Sequence, residues 1–341
     1  MTNPSPATGI QLPDQPGPVL SVRDLQVVFD TETGPVTVVD HLSFDLHAGK
    51  TLGMVGESGS GKSVSALALM GLIPPPGRVC GGTAMFDGQD LLHATPRELQ
   101  SVRGARIAMI FQEPMTALNP VFSIGDQIAE MFHIHQSLSK HEAWGQAVAA
   151  IERVGIPDPK VRAEAYPHQL SGGMRQRAMI AMALACHPDV LIADEATTAL
   201  DTTVQAQILD LILDLQAAEG MAILFISHNL AVVSEVADDV LVIYAGRTAE
   251  TAPAESFFED PLHPYSQGLL ATLPSADLRG KPLPTIPGMV PGPHETITGC
   301  RFKPRCTVAE DRCAANVPPL QSVSGDRHVA CIKAGNRSHA G

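Results

Sequence analysis

The chain is 341 residues long, with 44% hydrophobic residues, 4% aromatic residues and a formal net charge of −13. That apolar content supports a substantial core and excludes a disordered chain. The acidity and the scarcity of aromatics exclude a surface that holds nucleic acid or anionic lipid by general attraction, so any phosphate must be caught by a local site.

No apolar run reaches the roughly 18–20 residues that span a bilayer. The longest candidate, around Ala178 to Ala185, stops at Cys186-His187-Pro188. Residues 1–18 lack the basic and apolar regions of a signal peptide and read as a loose tail. The expected location is the cytosol, or a membrane reached through partners.

Residues 20–29 and 36–46 alternate apolar and polar side chains, as half-buried strands do. TLGMVG (51–56) is a buried-strand run, followed by a helical pattern from Gly61 to about Leu72 that Pro74-Pro75-Pro76 stops. RIAMIF (106–111) predicts another buried strand. Residues 113–171 carry helical periodicity and read as a helical subdomain. A helix over 172–186, the strand VLIAD (190–194), a helix over about 202–218, the strand AILFIS (222–227), a short helix after His228 and strands near 239–251 follow. Strands alternating with helices predict a mostly parallel sheet covered on both faces. Near residue 255 the composition shifts. DPLHPYSQGLLATLP predicts a short helix, and proline and glycine dominate from there to Pro293. The expected organisation is a tail (1–18), a main domain (19–255) and a loop-rich C-terminal extension (256–341).

GESGSGKS (Gly56–Ser63) fits G-x-x-x-x-G-K-[ST] between a strand and a helix. Glycine at Gly56, Gly59 and Gly61, with Ser58 and Ser60 between, lets successive backbone N–H groups point inward. The helix start adds its unpaired N–H groups and positive dipole end. Lys62 reaches the β- and γ-phosphates, and Ser63 can ligate Mg²⁺. VLIADE supplies the carboxylates such a loop needs: Asp194 to hold Mg²⁺ and Glu195 to activate water. LSGGMRQR (170–177) opens a second helix with Ser171 as N-cap and Gly172-Gly173 behind it, a second anion-binding start in one chain. A single nucleotide needs one such cradle, so the spare one suggests a nucleotide held by another subunit.

The phosphate loop, LSGGMRQR, LIADE, TALD and ISHN, in this order, resemble the ATPase subunits of ABC transporters over about residues 20–255. The resemblance implies a P-loop NTPase fold of the ABC type: a RecA-like α/β core, an antiparallel β subdomain and a helical subdomain. It implies two such domains facing head to tail, each ATP lying between one phosphate loop and the other's Ser171, Gly172, Gly173 and Gln176. It makes Gln112 in FQEP the glutamine that senses Mg²⁺ and water, Asp201 the aspartate at the dimer seam, and His228 the histidine on the γ-phosphate. Phe29 is either the adenine-stacking aromatic or a core residue. Catalysis then falls to Glu195, His228, Gln112 and Lys62, and Mg²⁺ to Ser63, Gln112 and Asp194.

EPMTALNP after Gln112, DPLHPYSQGLL beyond the core and GCRFKPRC near the end resemble the dipeptide/oligopeptide importer subfamily, which includes nickel carriers. This implies two permease subunits, a second ATPase subunit, an extracytoplasmic binding protein and a peripheral place on the cytoplasmic face of the membrane. A soluble ABC-type ATPase acting on ribosomes or DNA is the less favoured class: the chain has one cassette, no heptads and an acidic balance. Cys300, Cys306, Cys313 and Cys331 run C-x5-C-x6-C-x17-C. Four thiolates can hold a [4Fe–4S] cluster or zinc, or remain free thiols. The resemblance favours the cluster, with Arg301, Lys303 and Arg305 expected to offset its charge. His263 is expected to pack rather than ligate, and His133 and His135 to be exposed.

Overall fold

The computed structural model describes residues 17–113, 117–197, 201–273, 284–292, 295 and 297–334. The proposed tail therefore lies almost wholly outside the described residues, as do parts of EPMTALNP and TALD. The chain opens with β1 (Leu20–Thr31), β2 (Gly34–Leu46), β3 (Thr51–Val55), α1 (Lys62–Leu69), β4 (Gly77–Phe86), β5 (Gln89–Asp90) and α2 (Pro96–Val102). β6 (Ile107–Ile110) leads into α3 (Ile124–Gln136), α4 (Lys140–Arg153) and α5 (Pro159–Ala163). Then come α6 (Gly172–Ala183), β7 (Val190–Asp194), α7 (Thr202–Glu219), β8 (Ala222–Ser227), α8 (Leu230–Val236), β9 (Asp239–Tyr244) and β10 (Arg247–Pro253). The extension adds α9 (Ala254–Glu259), α10 (Pro264–Ala271), β11 (Gln321–Ser324) and β12 (Arg327–Val329).

Two sheets organise these elements. β2-β1-β4-β5 form an antiparallel sheet, and β11-β12-β10-β9-β3-β8-β7-β6 form the core sheet, whose segment from β9 to β6 is parallel. Every residue of β3, β7 and β8 is buried, which is why these strands read as continuous apolar runs. Hydrophobic periodicity does not signal β4: Gly77, Gly81 and Gly82 weaken its intrinsic strand preference, and pairing along β1 from Leu20 to Phe29 holds it in place.

The helical region is built on capped amphipathic helices. Ser139 and Glu142 form a reciprocal capping box at the start of α4. Its Ala143, Ala147 and Ile151, spaced by four, bury one face in the main apolar cluster. Among the described residues, no helix is long and apolar enough to cross a membrane.

The extension is stitched to the core. β12 pairs with β10 at Glu250↔Val329 and Thr251↔His328. Tyr244 of β9 meets Tyr265 and Phe302 edge-on, with ring centroids 4.6 and 5.1 Å away. The buried Glu250 carboxylate accepts the N–H groups of Leu262 and His263, each at 2.8 Å. His263 is buried and its Nδ1 accepts the Tyr265 N–H, consistent with packing. Burial pushes its pKa down to about 4. His133 is exposed, whereas His135 is half-buried beside Gly104.

Candidate active site

The loop after β3 is shaped by close approaches that leave no room for side chains. A Cβ on Gly56 would stand 2.3 Å from the Ile243 carbonyl oxygen, and one on Gly61 would stand 2.9 Å from that of Val38. Gly61 also takes φ +102°, a conformation that L side chains rarely adopt. As the N-cap of α1 it offers no side-chain cap, so the first N–H groups of the helix face the loop unpaired by one.

The loop walls a cavity of about 660 Å³ that Gly56, Ser58, Gly59, Ser60, Gly61, Lys62, Ser63, Gln112, Glu195 and His228 all line. Residues from four separate stretches of sequence thus meet at one place. Lys62 is buried, its Nζ donating to the carbonyls of Gly56 at 2.7 Å and Glu57 at 3.1 Å. Burial pulls its ammonium below the ordinary lysine range, against the pull of Glu195, Asp194 and Glu57. Beneath the cavity the Ser63 hydroxyl donates to Asp194 Oδ1 at 2.9 Å. Burial raises the Asp194 carboxyl, a cost that a cation beside it would remove.

Glu195 follows β7 with φ +47°, rare for a residue with a side chain, and its N–H is tied to the Ile226 carbonyl at 2.9 Å. Its carboxylate accepts from Gln112 Nε2 at 3.0 Å and lies 3.1 Å from His228 Nδ1. The Ser227 hydroxyl accepts the Asn229 N–H at 3.0 Å, fixing the turn that carries His228. An acid, an amide and an imidazole therefore converge at the cavity walled by the glycine-rich loop, an arrangement able to orient and deprotonate water.

The second motif lies elsewhere. Ser171 is exposed and caps α6 by accepting the Met174 N–H at 3.3 Å. Gly172 has open space around its Cα, Gly173 faces Val204, and Gln176 is buried with its amide on the Ala196 carbonyl. Asp201 caps α7, accepting from Thr203 and Val204 at 3.1 and 3.0 Å. None of these residues lines the loop cavity. Neither does Phe29, whose ring edge lies against Gly77 of the neighbouring strand.

Sequence reasoning missed the contacts that the extension makes with the loop. Leu269 of α10 lines the cavity, the Tyr265 hydroxyl accepts the Glu57 N–H at 2.9 Å, and Arg305 pairs with the Glu57 carboxylate. These partners are hundreds of positions from Glu57, so no local pattern could reveal them.

Cys300, Cys306, Cys313 and Cys331 line one small cavity with Lys303 and Lys333. Burial raises the Cys300 and Cys306 thiols, and their cysteine neighbours raise them further. As placed, no three His, Cys, Asp or Glu side chains among the described residues stand close enough to hold a metal ion. Two of the three expected counter-charges are engaged elsewhere: Arg301 on Asp40 and the Ala245 carbonyl, and Arg305 on Glu57. Both find carboxylate partners across the extension–core seam, which leaves Lys303 at the cysteine cavity.

The pattern of the ABC transporter family matches residues 39–198, and that of the oligopeptide/dipeptide transporter C-terminal region matches residues 249–313. The chain is 49% identical to the dipeptide transport ATP-binding protein DppD of Escherichia coli over 313 residues, 92% of this chain and 96% of that one. It is 49% identical to the oligopeptide transport ATP-binding protein OppD of Salmonella typhimurium over 326 residues, 96% of this chain and 97% of that one. A solved dimeric ATP-binding cassette in a post-hydrolysis state with ADP and Pi superposes with a TM-score of 0.62. That likeness covers 69% of this chain and 98% of the other at 21% identity, and it speaks for the fold alone.

Proposed function

The chain belongs to the ATP-binding subunits of ABC transporters, in their dipeptide/oligopeptide branch, and from that premise we propose that it hydrolyses ATP to energise import of di- or oligopeptides. It works at the cytoplasmic face of the cell membrane with two permease subunits, a second ATPase subunit and an extracytoplasmic binding protein. The observation that carries the reading is the placement of Glu195, Gln112 and His228 together at the rim of the loop cavity.

In the proposed reaction the loop N–H groups and Lys62 hold the β- and γ-phosphates. Ser63, Asp194 and Gln112 would hold Mg²⁺, and their hard oxygen donors suit it; when bound, Mg²⁺ neutralises charge on the transferring phosphoryl group. Glu195 accepts the proton of the attacking water, whose oxygen bonds to the γ-phosphorus as the bond to the β,γ-bridging oxygen breaks; Gln112 and His228 orient that water and the γ-phosphate, ADP is the leaving group and inorganic phosphate the product. Ser171, Gly172, Gly173 and Gln176 serve the ATP of the facing subunit, with Asp201 at the seam. This explains why those residues stand apart from the chain's own loop cavity. Phe29 flanks the adenine or only packs against β4.

The donor set of the cysteine cavity, four soft thiols, suits a [4Fe–4S] cluster, with zinc as the alternative. Loading either requires the thiols to close in from their present positions. A metal there would crosslink a segment poor in regular structure.

The decisive experiment purifies the intact membrane complex and measures phosphate release with and without peptide-loaded binding protein. The reading requires stimulation by dipeptide or oligopeptide; stimulation by nickel alone would move the chain to the metal-import variant. Association with ribosomes or DNA and no permease partner would reject it.

A further inference from the structure

Glu57 occupies a variable position of the phosphate loop, yet its N–H, its carbonyl and its carboxylate are all engaged. Its N–H is donated to the Tyr265 hydroxyl at 2.9 Å. Its carbonyl accepts from Lys62 Nζ at 3.1 Å and from the Ser60 N–H at 3.2 Å. Its carboxylate takes both arms of the Arg305 guanidinium, Nη1 at 2.6 Å and Nη2 at 3.0 Å. Arg305 is itself fixed. Only 7% of it is exposed, Nε donates to the Pro287 carbonyl at 2.9 Å, and Nη2 also reaches that of Ile286 at 3.3 Å. A two-point guanidinium–carboxylate pair specifies orientation as well as charge, which a lysine cannot do.

The chemistry of the loop makes this pairing consequential. A triphosphate brings several negative charges to a loop whose one cation is Lys62. An unpaired carboxylate at Glu57 would repel that ligand and compete for the Lys62 ammonium, already beside the Glu57 carbonyl. Arg305 takes the carboxylate out of that competition, and Tyr265 sets the backbone from which it springs. Both residues belong to the extension, which also contributes Leu269 to the cavity wall.

Resting on the reading of the loop as an ATP site, we infer that Arg305 and Tyr265 are positioning residues for the phosphate loop. They hold Glu57 away from Lys62 and from the incoming triphosphate, and so make nucleotide affinity depend on the docked C-terminal extension. They touch neither the nucleotide nor the attacking water.

The test is equilibrium binding of a fluorescent ATP analogue with Mg²⁺ to the full-length chain, with thermal melting on each variant. Arg305→Ala is expected to weaken binding roughly tenfold or more, and Arg305→Lys to recover only part of that loss. The double variant Arg305→Ala/Glu57→Gln removes the freed charge and is expected to bind within about twofold of wild type. In the assembled complex the same substitution should raise KM for ATP with kcat little changed. Tyr265→Phe, which deletes one hydroxyl, is expected to weaken binding about threefold, and it carries the test together with Arg305→Lys if Arg305→Ala does not fold. Binding by Arg305→Ala within twofold of wild type would overturn the inference, as would a loss that Glu57→Gln does not repair. If both Tyr265→Phe and Arg305→Lys bind as wild type does, the inference is likewise overturned. A wild-type chain that binds no nucleotide would bring down the ATPase reading as well; a wild-type chain that binds while its Arg305 variant binds equally brings down this inference alone.

Discussion

The Glu195 carboxylate lies 3.1 Å from Nδ1 of His228, and its other oxygen accepts from Gln112 at 3.0 Å. Two flanking groups thus aim an acid held in a strained backbone conformation. Glu195→Gln keeps the hydrogen-bonding shape and removes the basic oxygen. It should retain ATP affinity, lower phosphate release by about a hundredfold or more, and accumulate the closed ATPase dimer. Single-turnover phosphate release with the partner's site disabled, read beside size-exclusion chromatography, checks this. Near-normal turnover would remove Glu195 from its role.

Among the described residues no carboxylate is hydrogen-bonded to the Lys62 ammonium, which instead donates to two loop carbonyls. Binding a triphosphate exchanges those neutral acceptors for charged ones. Lys62→Ala should therefore weaken ATP binding by about tenfold or more while leaving the melting temperature near that of wild type. A titration of the full-length variant with labelled ATP decides it, and unchanged affinity would contradict the phosphate-loop assignment.

Asp40 ties β2 to β10 and to the extension, pairing with Arg247 at 2.8 Å and with Arg301. Burial pushes its carboxyl up, but bonds from Arg247 and His41 and the charges of Arg247 and Arg301 outweigh it, so it titrates below the ordinary 3.8. As pH falls past that value the unfolded chain takes up the proton first, so this pairing stabilises the fold above 3.8 and is lost towards the lower folded pKa. Asp40→Asn should cost about 3 kcal/mol at neutral pH by leaving two guanidiniums without their anion. It should also flatten the acid limb of stability below pH 3.8. Melting temperatures of both proteins across that range test the pair.

The four thiols around one cavity lead to a compositional prediction. Chain purified without oxygen should carry iron and acid-labile sulfide in equal amounts, and Cys300→Ser should lose both and melt at a lower temperature. Zinc without sulfide would select the alternative. Neither metal, with Cys300→Ser as stable as wild type, would leave the cysteines as free thiols.

Much of the site was legible because local chemistry dictates it. Gly56 and Gly61 must be glycine where a Cβ would strike the Ile243 and Val38 carbonyls, and Asp194 ends an otherwise apolar strand with Glu195 next along. Gln112 and His228 were reachable only through family resemblance, since a lone amide and a lone imidazole carry no periodic signal. β4 escaped because tertiary pairing with β1, not side-chain preference, holds its glycines in the sheet, Gly82 even at φ +94°. The Arg305–Glu57 pair escaped because 248 positions separate its members. A basic residue between two cysteines suggested a counter-charge for the cysteines, whereas the fold gives it a carboxylate in another element.

Strand β12 also protects the protein from itself. By pairing with β10 it shields a row of backbone donors and acceptors that would otherwise template the addition of foreign strands. The rim passes instead to β11, four residues long and exposed throughout, reading Gln-Ser-Val-Ser. A stop codon after residue 255 would therefore yield a cassette with a bare, sticky flank, and its insolubility would say nothing about whether the extension is needed for catalysis.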